Sequence, residues 1–590
     1  MDSGTPPVEK TKQIFSLGAG KMADRLLGLD GLQRIYDARP SDPGAAEFID
    51  WALEFMRIDV EVSEPEVDRI PRDGPLVLVA NHPFGGIEGL ILGQLLLRRR
   101  LDAKVMANYL LGRITELRDL FLLVDPFEGP GAKRRNLSSM RRAIEWLDGG
   151  GALGVFPAGE VAHFDPRTRR VEDPPWNPTI ARIARRVGCP VIPVHFEGRN
   201  RRLFQALGMI HPRLRTAMLP RELLARQGSS VRVQIGSPIP PRRLAGFADA
   251  DETILYLRDR TSILAERTLA ESQSAPVQPR LTPSHVRPVI AEIATDLLER
   301  DLAAVSPDCL LIDGDDQVVY CAEAERIPNV LREIGRLREV SFREVGEGTG
   351  RELDLDLFDE HYLHLFIWSR VDRKIVGAYR LGPTDRLVSA SAAAGLYTST
   401  LFDYRLDLFE EMGPALEMGR SFIRLEYQKN YAGLMLLWKG IGAFVVRNQQ
   451  YTTLFGPVSI SAHYKSASQR LIVAFLEQNR FAHDWSARVR PREPHRPDRK
   501  TSRRLQPLQL KNLDDVSTFI SEIEADNKGV PVLLKQYLKL GGRLLGFNVD
   551  PDFANVLDVL IMVDLRHTPP RILRRYLGRE GTDSFLARHK

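Results

Sequence analysis

Short apolar runs alternate with longer segments through the first half of the chain. The runs are Leu76 to Ala80, Ala103 to Met106, Leu120 to Val124, Ala152 to Phe156, Val191 to His195 and Val231 to Ile235. Each has the length and branching of a buried strand. Leu90 to Leu97, Arg141 to Leu147 and Thr179 to Val187 lie between them and are expected to be helices. Such alternation predicts an α/β layer fold over residues 60–270. Ahead of it, Leu26, Leu29 and Ile35, then Phe48, Trp51 and Phe55, recur at helical spacing. Residues 1–59 are therefore expected to be a helical segment. A stripe of this kind packs on a neighbouring domain more often than it lies on a membrane.

Residues 271–287 hold Ser272, Ser274, Pro276, Pro279 and Pro283 and are expected to be a linker. Beyond them the pattern changes. A helix is predicted from Pro288 to Leu302, followed by strands at Cys309 to Asp313 and Gln317 to Ala322. His361 to Ser369 and Lys374 to Leu381 are predicted to pair through Arg370-Val371-Asp372-Arg373. Ser421 to Glu426, Leu454 to Ser459, Gly541 to Phe547 and Val559 to Asp564 complete the strands. Tyr431 to Arg447 and Lys465 to Gln478 are helical. Residues 288–590 are thus expected to be an α+β domain, and no internal repeat is visible.

At 590 residues the chain is too long for one core. Its 43% apolar and 27% charged residues are those of an ordinary globular protein. Cys189, Cys309 and Cys321 have neither metal-type nor disulfide-framework spacing, so no metal is expected and a cytoplasmic setting is. No run is long enough to span a bilayer, and the first residues are polar. Membrane contact is expected to be peripheral, on the inner face of the cytoplasmic membrane. The net charge of +5 is local: eight Arg/Lys against Glu493 and Asp498 fall between Trp485 and Gln506. This proline-rich stretch, 485–507, reads either as a solvated loop or as one that holds anionic lipid or an acidic carrier protein. No nucleic-acid partner is expected.

The chemistry of the first half begins where Leu76 to Ala80 ends, in Asn81-His82-Pro83-Phe84-Gly85-Gly86-Ile87-Glu88-Gly89. A histidine at a strand-to-helix turn, with a carboxylate one turn on, can take a proton from a hydroxyl while the carboxylate orients the ring. The amides of the glycine turn are candidate oxyanion donors. Phe156-Pro157-Ala158-Gly159-Glu160 ends another strand, and carboxyl ends of strands are where α/β folds gather their substrate sites. With Val191-Ile192-Pro193-Val194, these segments resemble the lysophospholipid acyltransferase superfamily. The resemblance implies His82 as base, Glu88 as its orienting acid, and Asn81, Phe156, Pro157, Gly159 and Glu160 as acceptor-binding residues. Glu88 lies six positions after His82, one more than usual, so its carboxylate must reach the ring across an extra residue. Ala158 replaces the usual glutamate of the acceptor loop, which points away from a glycerol-phosphate acceptor. Lys133, Arg134, Arg135, Arg141 and Arg142 form an acid-free cluster that can receive a carrier arm or a lipid head group, or be a solvated face.

In the second half, Arg351-Glu352-Leu353-Asp354-Leu355-Asp356-Leu357-Phe358-Asp359 is dense in carboxylates, and Arg380 and Arg420 follow. The order Arg338, Phe342, Asp354/Asp356/Asp359, Trp368, Gly377, Arg380, Glu417 and Arg420 resembles the acyl-homoserine lactone synthases. It is more similar to the ornithine lipid N-acyltransferases, often labelled hemolysin-like. The resemblance implies a GNAT-like fold, an amino-acid substrate and a 3-hydroxyacyl donor on acyl carrier protein. Substrate-binding residues would be Arg338, Asp354, Asp356, Arg380, Arg420 and Ser421. The amine must lose a proton, and Glu417 is the expected base, with the aspartates as alternatives. Gln428-Lys429-Asn430-Tyr431-Ala432-Gly433 lacks the full glycine pattern of a pyrophosphate loop, so coenzyme A is the less expected donor. No tightly bound cofactor is expected.

Together the halves resemble a bifunctional ornithine lipid synthase: an N-acyltransferase makes a hydroxyl-bearing amide and an O-acyltransferase esterifies it. Two rivals are a lysophospholipid acyltransferase with a carrier-sensing second half, and a hemolysin-like membrane-binding protein without catalysis.

Overall fold

The computed structural model describes Arg25 and residues 27–124, 130–273, 286–429, 431–461, 463–496, 512–524, 526–553 and 555–589. The side chains of Lys133, Arg134 and Arg135, most of the expected linker, and the basic stretch after residue 496 lie outside the described residues. The chain divides into two units, Met1–Glu271 and Ser272–Lys590.

The first unit is built on seven strands: β1 (Asp59–Glu61), β2 (Leu76–Ala80), β3 (Ala103–Asn108), β4 (Phe121–Val124), β5 (Ala152–Val155), β6 (Val191–Phe196) and β7 (Ser230–Ile235). They lie in the order β1-β7-β6-β2-β5-β3-β4. β7 runs antiparallel to β6, and the strands from β6 to β4 are mutually parallel. Every residue of β2 is fully buried. Its continuous Leu-Val-Leu-Val-Ala run has apolar side chains for both faces of a covered parallel sheet. The helices α1 (Leu29–Asp37) and α2 (Ala45–Phe55) place Tyr36, Phe48, Ile49 and Leu53 in this same core. The expected N-terminal segment is therefore part of the first unit from Leu29 onward.

From β2 the chain enters α3 (Ile87–Leu97) and reaches β3, with β5 between β2 and β3. The carboxyl ends of β2, β5 and β6 thus stand side by side. α3 begins three residues before the predicted Leu90, which puts Glu88 in its first turn. α4 (Pro130–Asp148) and α5 (Thr179–Val187) follow β4 and precede β6.

Among the described residues the main sheet of the second unit has eight strands: β8 (Leu310–Asp313), β9 (Gln317–Glu323), β10 (Leu363–Ser369), β11 (Lys374–Pro383), β12 (Ala415–Ile423), β13 (Thr453–Ile460), β14 (Arg543–Asp550) and β15 (Val556–Asp564). Their order is β8-β9-β10-β11-β12-β13-β15-β14. All neighbours are antiparallel except β12 and β13. That parallel pair matches only Ala415–Glu417 with Thr453–Phe455, although both strands continue. Ladder pairing stops there and leaves an unpaired stretch, the wedge, beyond Glu417. α6 (Pro328–Glu344) packs Val330, Ile334 and Leu337 against β10 and β11, and α7 (Ala432–Arg447) follows β12.

Two predicted elements of the second unit differ. The helix expected from Pro288 begins only at Thr295, because Arg287 and Ile290 donate their amides to Gly350 and Glu352. Those bonds hold the preceding residues extended. The strand expected at Ser421 to Glu426 begins at Ala415 and ends at Ile423, where a 3-10 turn at Leu425–Tyr427 takes over.

Candidate active site

At the end of β2, the Asn81 side chain bridges to the end of β6: its amide donates to Phe196 O (2.9 Å) and its oxygen accepts from Phe196 N (2.7 Å). His82 stacks on Phe156 at the end of β5, with ring centroids 4.6 Å apart. Its Nδ1 lies 2.9 Å from Glu88 Oε1. The extra residue between them is absorbed by Gly85 at φ 101°, a conformation L side chains rarely adopt. Glu88 is fully buried, and its oxygens accept from the amides of Phe84 (2.8 Å), Gly85 (2.7 Å) and Gly86 (3.0 Å). These bonds correct the expectation of an oxyanion hole in the glycine turn, because those N–H groups are already committed to a carboxylate.

Burial disfavours the charged form of both partners. The Glu88 charge and hydrogen bond outweigh it at His82, holding the imidazole above its ordinary 6.5. The His82 charge and the turn amides likewise hold Glu88 below the usual carboxylate range. A second carboxylate sits on the other side: Asp173 accepts from the His82 backbone N–H (3.1 Å) and from Trp176 Nε1 (3.0 Å). Burial pushes Asp173 up. His82 faces a cleft of about 1970 Å³ whose lining is mostly apolar, including Tyr36, Trp51, Met106 and Leu111. Phe156, Pro157, Gly159 and Glu160 line the same cleft. Gly159 turns the loop at φ 69°, and Glu160 pairs with the buried Arg215.

In the second unit the acidic turn and three arginines converge. Arg338 Nη1 donates to Asp359 Oδ1 at 2.7 Å, and Arg380 Nη1 to Asp356 Oδ1 at 2.6 Å. Arg420 reaches Asp354 and Asp356 only at 3.4 and 3.5 Å. Its backbone is left-handed, φ 52°, at a bulge of β12 opposite Ala378 and Arg380. Its guanidinium lies over Tyr397 (4.9 Å) and Phe553 (4.6 Å). Burial raises Asp354, while Asp359 is held far below the usual range because the Arg338 and Arg380 charges overcome its burial.

Glu417, the last β12 residue before the wedge, is buried. It accepts from Tyr362 Oη, Tyr397 N (3.2 Å) and Thr398 N (2.6 Å). Across the wedge, Ser459 of β13 pairs with Asp558 of β15, and its hydroxyl donates to Asp558 Oδ1 at 2.8 Å. Asp558 is 3% exposed; burial pushes its pKa up to about 7, with Asp550 and Glu347 adding negative charge and Arg420 opposing. Burial also takes Glu347 to about 7.

Residues 39–270 match the family described as Acyltransferase, and residues 337–439 the Acetyltransferase (GNAT) domain. The glycine N(alpha)-acyltransferase of Bacteroides thetaiotaomicron is 31% identical over 293 residues, 47% of this chain and 86% of that protein. The same organism's lyso-glycine lipid O-acyltransferase is 30% identical over 34% of this chain and 72% of its own length. The chain belongs to the aminolipid acyltransferases. The L-ornithine N(alpha)-acyltransferase of Agrobacterium fabrum is a further relative, 27% identical over 41% of this chain and 78% of that protein. The crystal structure of the 1-acyl-sn-glycerophosphate acyltransferase PlsC of Thermotoga maritima has a TM-score of 0.23, at 20% identity over 43% of this chain and 92% of that one.

In this acyltransferase the first unit brings His82, Phe156, Pro157, Gly159 and Glu160 to one cleft, with Glu88 on the His82 ring and Asn81 bonded to Phe196. The second gathers Arg338, Asp354, Asp356, Arg380 and Arg420. Ser421 does not join that cluster; it hydrogen-bonds the Tyr379 hydroxyl, which also meets Tyr537 at 3.1 Å. Two residues escape the sequence reading. Asp173 belongs to no motif and meets His82 only through the fold. Asp558 has a visible signal, a lone carboxylate in the apolar run Val556-Leu557-Asp558-Val559-Leu560-Ile561-Met562.

Proposed function

We propose that the enzyme makes a phosphorus-free aminolipid in two steps. The second unit joins a 3-hydroxyacyl chain to the α-amine of a small amino acid. The first unit then esterifies the new 3-hydroxyl. The observation that carries the second step is the buried Asp173–His82–Glu88 arrangement whose His82 lines a large apolar cleft, beside an acceptor loop without its usual glutamate. In our reading His82 Nε2 takes the hydroxyl proton as the oxygen attacks the thioester carbonyl. The C–S bond breaks, and the imidazolium gives its proton to the departing thiolate, which leaves as the thiol. Glu88 stabilises the imidazolium formed in between.

For the first step we assign the parts differently from the family pattern. Glu417 has its oxygens occupied by one hydroxyl and two amides, and we read it as the tether of the Tyr397 loop. Among the described residues Asp558 accepts one hydrogen bond and is tuned near neutrality, which suits a base acting on an ammonium whose pKa is about 8. Arg338 and Arg380 are tightly paired, whereas Arg420 holds its partners loosely, so Arg420 is offered to the substrate carboxylate. We place the thioester arm of acyl carrier protein, our preferred donor, where the pairing of β12 with β13 stops. With Asp558 taken as the base, the neighbouring Glu347 favours ornithine, whose second ammonium needs a carboxylate of its own. The higher identity to glycine enzymes favours glycine.

Lipid extracts of a host without aminolipids test the reading. Expression should yield a phosphorus-free lipid with two acyl chains, ninhydrin-positive if the amino acid is ornithine and ninhydrin-negative if it is glycine, and mass spectrometry names the amino acid. His82→Ala should accumulate the mono-acylated amide alone. Loss of both lipids in that variant contradicts the division of labour, and absence of any such lipid from the parent contradicts the function.

A further inference from the structure

The helix Arg202–Ile210 wears its apolar side chains outward. Leu203, Met209 and Ile210 are 50, 59 and 74% exposed, and Leu214 on the next helix, Pro212–Ala217, is 44% exposed. At 3.6 residues per turn, Arg202, Leu203, Ala206, Met209 and Ile210 share one arc of about 120°. All five are exposed. The opposite side is anchored: Phe204 is fully buried with Val161 and Met218, and Gln205 accepts from Phe164 N at 2.9 Å. An apolar face turned away from its own core needs a partner.

Charge restricts what that partner is. Residues 199–226 contain seven arginines and one acid, Glu222. Arg201 is paired with Glu222 and Arg215 with Glu160, but Arg199, Arg202 and Arg221 are exposed and carry no ion pair among the described residues. Apolar side chains on one arc, with exposed arginines on that arc and in the flanking chain, are the composition of an interfacial membrane helix. The same helices line the His82 cleft through Phe204, Arg215 and Thr216, with His211 between them.

We propose that Arg202–Ile210 with Leu214 is the surface on which this enzyme docks to an anionic bilayer. Leu203, Met209, Ile210 and Leu214 enter the acyl boundary while Arg199, Arg202 and Arg221 meet lipid phosphates. Docking at this end lets a mono-acylated lipid pass from the bilayer into the His82 cleft without crossing water. That second statement rests on the function proposed above; the docking itself does not. An acidic carrier protein would satisfy the arginines but has no use for four outward apolar side chains.

The full chain should float with phosphatidylcholine vesicles containing about 30% phosphatidylglycerol, and less with phosphatidylcholine alone. Met209→Glu with Ile210→Glu should lower that partition by at least about tenfold. Arg199→Glu with Arg202→Glu should weaken it and remove its dependence on salt. O-acylation in detergent micelles should be unchanged in both pairs, which also reports that they fold. Undiminished flotation of both pairs overturns the proposal. So does loss of carrier-protein binding with vesicle binding intact. If the parent floats as expected but acylates nothing in micelles, docking stands and the proposed function falls.

Discussion

At the scale of single residues, both sites depend on titrating groups moved off their ordinary values by burial and by a neighbour. His82 must be neutral to accept a proton, and Glu88 holds its pKa above 6.5. O-acylation should therefore fall as pH drops through a value above 6.5, read as the acidic limb of kcat/KM in the micelle assay. Glu88→Gln should move that limb downward and cut the rate by two or more orders of magnitude. At the other site, Asp558→Asn should abolish N-acylation. Because the folded pKa of Asp558 is raised to about 7, its contribution to stability is present below its unfolded value and lost as pH rises through about 7. The Asn variant should thus be more stable than the parent above pH 7, by about 1–3 kcal/mol, and not below pH 4. Glu417→Gln should instead destabilise at every pH by about 1–3 kcal/mol, since it sets an amide against N–H donors. Urea unfolding at two pH values separates the two carboxylates. Of these residues His82 and Glu88 are legible as a motif, because the partners lie one turn apart in the chain. Asp173 is ninety-one residues from His82, and only tertiary folding brings it there.

At the scale of elements, the glycine turn between β2 and α3 decides whether Glu88 reaches the ring. A Cβ on Gly85 would stand 2.5 Å from Leu219 Cδ2 and 2.9 Å from Val161 Cγ2, at a positive φ. Gly85→Ala should cost about 1–3 kcal/mol. It should abolish O-acylation while leaving N-acylation intact, seen as accumulation of the mono-acylated lipid. The strands of the first unit are readable as apolar runs because a sheet covered on both faces demands them. The extended stretch after Arg287 is not readable. Its helical spacing is overruled by backbone bonds to Gly350 and Glu352, sixty residues on. The wedge between β12 and β13 is equally silent, since it consists of pairing that stops.

At the scale of the whole molecule, two units with separate cores would carry two reactions in sequence. Each has its own sheet, so residues 1–271 and 272–590 expressed as two chains in one host should still produce the di-acylated lipid. The second chain alone should stop at the mono-acylated lipid. Lipid profiling of the three strains checks this. The sequence by itself determined the two-part architecture, the strand runs and the His82–Glu88 pair, because each is written in residues close together along the chain. Tertiary structure decided the rest. It spent the turn amides on Glu88, set Asp173 behind His82, tethered Glu417 and left Asp558 with one bond. It also turned an apolar helix face outward. Each is a matter of which distant group fills a hydrogen bond or covers a surface, and spacing along the chain does not encode that.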